Sequence, residues 1–124
     1  MRIGSASVAA DLFQPIFTGS ERERVAVLHL DSRRLFLALT LEEEGGESDT
    51  ELPVGAILAR ALRLGAAALI VAHNHPSGNP EPSEADLAAT RALADAARQV
   101  DLKLADHLIF AGGEWRSLYA LGLL

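Results

Sequence analysis

A chain of 124 residues, 49% of them hydrophobic, can bury a core without covalent or metal staples, and it is expected to form one domain spanning residues 1–124. It has no cysteine, which excludes disulfides and thiolate metal ligands and restricts any bound metal to nitrogen and oxygen donors. A formal charge of −6 argues against general nucleic-acid binding, and no apolar run approaches the roughly 20 residues of a membrane span, so a cytoplasmic protein with no membrane partner is expected.

Residues 5–17 read as a short amphipathic helix, with Ser5 or Ser7 as its cap and Pro15 ending it. Residues 24–30 and 35–41 read as strands joined by the tight turn 31–34, together an antiparallel hairpin. The basic residues Arg22, Arg24, Arg33 and Arg34 are interspersed with Glu21, Glu23 and Asp31, which marks a solvated edge of mixed charge. Residues 42–50, acidic with paired glycines, are expected to be a mobile surface loop. Pro53 then opens a helix with Ile57, Leu58, Ala61, Leu62 and Leu64 on one face, and Gly65 closes it.

Residues 66–72 are continuously apolar and follow a helix stop, which predicts a central strand covered on both faces. Proline and glycine make 76–82 a loop, and 83–100 a long helix whose inward candidates include Leu87, Ala88, Leu93 and Ala94. A strand at 102–110, a turn at Gly112-Gly113 and an extended piece at 115–118 complete the chain. Strands interleaved with helices give an α/β sandwich with a mixed sheet, and no internal repeat or linker is found.

The chemistry concentrates where the central strand ends. In His73-Asn74-His75 the two imidazoles project to one side by strand alternation, as sharing one ion requires, while Asn74 faces the other way. Ser83-x-x-Asp86 has the form of a capping box, which sets the Asp86 carboxylate in the first turn of the long helix, where the helix dipole favours its ionised form. His73, His75 and Asp86 suit a divalent metal with one coordination position left for water, the form of a catalytic site. The Ser83 hydroxyl either caps the helix or, while capping, also donates its proton toward a reacting oxygen. Gly78 serves a turn or a close approach to substrate, and Asn74 and Ser77 are candidates for orienting the histidines. Glu81 and Glu84 look exposed.

His73-x-His75, seven residues, then Ser83-x-x-Asp86 resembles the signature of the JAMM (MPN+) metalloprotease superfamily, and Ala72-His73-Asn74-His75-Pro76-Ser77-Gly78 is similar to its bacterial RadC-like branch. Residues 23–31 resemble the family's first core strand, Ala105-Asp106-His107-Leu108-Ile109 its late strand, and Ser117-Leu118 with Gly122-Leu123-Leu124 its end. The resemblance implies a cytidine-deaminase-like three-layer α/β fold (a JAB/MPN domain), Zn2+ held by His73, His75 and Asp86, and a general base at Glu23, with Glu21 one alternation away. Asp106 and His107 are assigned structural or hydrogen-bonding roles, and His29 is read as a sheet residue.

The function so implied is a zinc hydrolase acting on a peptide or protein substrate: Glu23 deprotonates a zinc-activated water, zinc and Ser83 steady the oxyanion, and Glu23 passes the proton to the departing amine. The rivals are a non-catalytic MPN-type binding module and a DNA-repair factor. The branch commonly carries an upstream helix-hairpin-helix region that this sequence is not expected to supply, so a DNA-repair role is not carried over. The absence of the His-x-Glu and Pro-Cys-x-x-Cys ligands argues against zinc nucleobase deamination despite the implied fold. Oligomeric state is not legible.

Overall fold

The apolar run at the middle of the sequence becomes the middle strand of the sheet, buried along its whole length. In the computed structural model, which describes residues 1–42 and 52–124, the elements are α1 (Ala6–Phe17), β1 (Val25–Leu30), β2 (Phe36–Leu41), α2 (Val54–Leu64), β3 (Ala68–Asn74), α3 (Glu84–Gln99), β4 (Lys103–Ala111) and β5 (Glu114–Ser117). The strands form one sheet in the order β2-β1-β3-β4-β5. β3 pairs parallel with β4 and every other pairing is antiparallel, so the sheet is mixed.

Helices cover both faces, which makes three layers. On one face α1 packs Ala9, Ala10, Phe13 and Phe17 over Leu28, Ile70, Leu108 and Phe110. Burying the Phe13 side chain alone is worth about 2–3 kcal/mol. On the other face Ile57 and Ala61 of α2 and Leu93 and Ala97 of α3 close over Val27, Leu69, Val71 and Leu104.

β4 changes face partway along. Leu69 lies opposite Leu104 but Ile70 lies opposite Asp106, so Ala105 is one residue in excess and the pairing register shifts there. Because strand side chains alternate with period two, one extra residue turns every later side chain over. Leu104 therefore belongs to the face under α2 and α3, Leu108 and Phe110 belong to the face under α1, and His107 is returned to the α3 side opposite Val71.

Several local expectations need adjustment. Pro15 does not end its helix: α1 continues to Phe17, and both the amide and the hydroxyl of Thr18 then donate to the Gln14 carbonyl. A proline forfeits only its own amide bond, so one further turn survives on these donors. Ser5 is the cap, its side chain accepting the Val8 amide. In α2, Leu62 and Leu64 remain exposed. Leu62 stands about 140° around the helix from Ile57 and cannot share its buried face, and Leu64 lies in the last turn before Gly65, whose φ of 71° stops the helix. In α3 the buried stripe is Asp86, Thr90, Leu93 and Ala97, while Ala88 is exposed. Of the acidic loop expected at 42–50, all but Glu42 lies outside the described residues, and Glu42 is buried rather than solvated, 3.5 Å from Arg60.

Candidate metal centre

Three elements meet at the C-terminal end of β3. The strand brings in His73, buried, and ladder pairing continues one residue past it as the His75 amide donates to the Phe110 carbonyl at 2.8 Å. The chain then turns through Gly78, whose φ of 89° is a left-handed conformation that glycine adopts without strain, so Gly78 is a turn residue. That turn carries the Asn79 carbonyl back to within 2.8 Å of His75 Nδ1. A carbonyl only accepts, so His75 Nδ1 holds a proton and its Nε2 is left facing inward.

Asp86 arrives from α3 through its capping box. Asp86 Oδ2 accepts the Ser83 amide at 2.8 Å, and Ser83 Oγ accepts the Asp86 amide at 3.0 Å. The two residues thus satisfy backbone donors that the helix start would otherwise leave open. Burial alone would raise the Asp86 carboxyl, but hydrogen bonds from His73 and from the Ser83 amide outweigh it and hold the group well below the usual carboxylate range.

The structure brings His73, His75 and Asp86 together. Their Nε2 atoms are 3.0 Å apart, Asp86 Oδ1 is 3.2 Å from His73 Nε2, and Asp86 Oδ2 is 3.0 Å from His75 Nε2. Two imidazole nitrogens and two carboxylate oxygens this close need positive charge among them, from shared protons or a cation. Tetrahedral bonds of about 2.0–2.1 Å put neighbouring ligand atoms about 3.3 Å apart, so the set fits zinc with little adjustment.

Glu23 flanks the same point. Its Oε1 is 3.7 Å from His73 Nε2, and Glu23, His73 and His75 form a group that could hold a metal ion, their donor atoms all within 4.8 Å of one another. Asp86 stands nearer to both imidazoles than Glu23 does to His73. Glu21 is exposed on the chain leading into β1, and Glu81 is 3.5 Å from Arg116. Asn74 does not reach the histidines: its Oδ1 accepts the Arg24 amide at 2.7 Å and its Nδ2 donates to the Arg22 carbonyl at 2.9 Å. It therefore grips the backbone on both sides of Glu23. Ser77 Oγ accepts the Asn79 amide at 3.4 Å and acts on the loop, reaching His75 only through that turn.

Behind His73 lie two residues to which the motif gives no pointer. His107 Nε2 is 2.7 Å from His73 Nδ1, and Thr90 Oγ1 is 2.6 Å from His107 Nδ1 and 2.7 Å from the Asp86 carbonyl. His107 is fully enclosed; burial first, and the neighbouring His73 second, keep it well below the ordinary histidine range. Asp106 is structural: it accepts Ser117 Oγ and the amides of His107 and Tyr119, tying β5 and the following turn to β4. Beside His75, on the α1 side, a cavity of about 210 Å³ runs between Phe17, Gly19, Asn74, Phe110 and Gly112.

A family profile described as a RadC-like JAB domain matches residues 3–123. A UPF0758 protein of Salinibacter ruber is 35% identical over 124 residues, which is all of this chain and 53% of the relative. UPF0758 protein YfjY of Escherichia coli K12 is 38% identical over 120 residues, 97% of this chain and 75% of that protein. A UPF0758 protein of Acidithiobacillus ferrooxidans is 48% identical over 101 residues, 82% of this chain and 45% of the relative. The chain thus spans about half the length of several curated relatives it matches. Among the described residues no helix is long and apolar enough to cross a membrane.

Proposed function

The chain belongs to the RadC-like JAB domain family, and from that premise we propose that it is a zinc-dependent hydrolase of peptide or isopeptide bonds. The observation that carries this reading is the convergence of His73, His75 and Asp86 at 3.0–3.2 Å with the Glu23 carboxylate beside them. His73, His75 and Asp86 would hold the ion, and when bound it supplies Lewis-acid polarisation and a water acidified to a pKa of about 7.

Each remaining task falls to a side chain. Glu23 accepts a proton from the attacking water as its oxygen bonds to the carbonyl carbon. Ser83 Oγ already accepts the Asp86 amide, which leaves its hydroxyl proton to donate to the carbonyl oxygen as negative charge grows there. Glu23 then returns the proton to the amine nitrogen as the carbon–nitrogen bond breaks. The cavity beside His75, lined by Phe17, Phe110 and glycines, would take substrate side chains on the α1 side.

The test is cleavage of a peptide library and of lysine-linked conjugates by zinc-loaded protein, read by mass spectrometry. Glu23→Gln should keep its zinc and lose about 10²–10⁴-fold in turnover. Zinc-loaded wild-type protein that cleaves nothing, or a glutamine variant of full activity, would remove the hydrolase reading or Glu23 from it, respectively. The first result would leave a metal-holding binding module.

A further inference from the structure

With His107 neutral, the hydrogen bonds behind His73 have only one consistent direction. Thr90 Oγ1 is 2.7 Å from the Asp86 carbonyl, one turn earlier in α3, and a carbonyl oxygen only accepts, so the single hydroxyl proton is committed there. The second partner of that hydroxyl, His107 Nδ1 at 2.6 Å, must then be the donor. His107 is buried, its ring has no carboxylate among its hydrogen-bond partners within the described residues, and in its neutral form the ring carries one proton, which Thr90 has drawn to Nδ1. Its Nε2 is consequently a lone pair, 2.7 Å from His73 Nδ1, and His73 Nδ1 must hold the proton between them.

We propose that Thr90 and His107 are positioning residues that fix a proton on His73 Nδ1 and so reserve His73 Nε2 for the metal ion. The proposal rests on the metal reading above. Such outer partners ordinarily orient a ligating imidazole through a carboxylate or a carbonyl. Here the partner is a neutral imidazole, which orients His73 without adding negative charge next to Asp86. The relay also begins and ends on the candidate ligands, running from the Asp86 main chain through Thr90 and His107 to the His73 ring, so one hydroxyl governs the placing of two of them. The excess residue Ala105 is what makes it possible, because without that register shift His107 would face α1.

The experiment compares Thr90→Val, which removes the hydroxyl with little change of shape, with Thr90→Ser, which keeps it, and His107→Leu with His107→Gln. A glutamine amide can accept from His73 and donate to Thr90. Zinc affinity is read by chelator competition. Expected are losses of about 10–100-fold for Thr90→Val and His107→Leu, near-wild-type binding for Thr90→Ser, and partial recovery for His107→Gln relative to His107→Leu. Nitrogen-15 spectra of the zinc-free wild-type protein should show His107 neutral, with its proton on Nδ1. Unchanged affinity in Thr90→Val and His107→Leu, with wild-type protein binding zinc, would overturn the relay while leaving the metal site standing. A His107 proton found on Nε2 would overturn it without reference to metal. Wild-type protein that takes up no zinc would overturn the metal reading and the purpose assigned here to the relay.

Discussion

Asn74 holds Arg24 by its amide, Oδ1 to nitrogen at 2.7 Å, and with its Nδ2 on the Arg22 carbonyl it fixes the backbone from which Glu23 extends. The residue between the two histidines thus positions the candidate base from across the sheet, because alternation along β3 sends it to the opposite face. Asn74→Ala should keep zinc affinity within a few-fold and lower turnover about 10²-fold, the cost of misplacing a reacting group by about 1 Å. Equal losses of affinity and turnover, measured by chelator competition and single-turnover cleavage, would instead tie Asn74 to the ligands.

Ser83 carries two tasks that substitution can separate. Asparagine caps a helix about as well as serine but lacks a hydroxyl, so Ser83→Asn should hold stability within a few tenths of a kcal/mol. It should also lose about 10²–10³-fold in turnover if the hydroxyl steadies the oxyanion. Ser83→Ala should lose about 1 kcal/mol as well. Denaturant melts beside cleavage rates check this, and full turnover in Ser83→Asn would confine Ser83 to the cap.

His29 makes the fold acid-sensitive away from the site. It is fully buried, its Nε2 is 2.9 Å from Thr40 Oγ1, and its Nδ1 has no partner among the described residues. Burial first and the Arg60 charge second lower its pKa from 6.5 to about 4. The neutral form is the folded form, so the unfolded chain takes up a proton below pH 6.5 while the folded one does not until pH reaches about 4. Stability should therefore fall across that window by about 3 kcal/mol, from 1.36 kcal/mol per pKa unit. Urea melts from pH 7 to 4 should show a shallower loss for His29→Leu; parallel curves for the two proteins would remove His29 as the cause.

The sheet was legible because its patterns were local. An unbroken apolar run announced β3, two apolar segments joined by the turn 31–34 announced the hairpin, and Ser83 with Asp86 announced the start of α3. What stayed hidden depended on partners far along the chain. Thr90 carries no inward signal, because a threonine on a helix resembles a solvent residue until its hydroxyl is seen turned onto Asp86. The resemblance gives His107 a structural or hydrogen-bonding role but not its partner, because it lies 34 residues from His73 and an alternating pattern carried through Ala105 would place it on the wrong face. Glu42 reads as part of an acidic loop, but its side chain is buried and Arg60, from another element, lies 3.5 Å from it.

The metal itself is tested most directly by titrating zinc into chelator-treated protein against a competing indicator, for the wild type and for His73→Ala. One ion per wild-type chain is expected, with His73→Ala weaker by at least about 10²-fold. Binding should also raise wild-type stability by about 2.7 kcal/mol when free zinc is 100 times the dissociation constant. A wild-type protein that binds no zinc, or a His73→Ala variant that binds it as tightly, would contradict the site described for His73, His75 and Asp86.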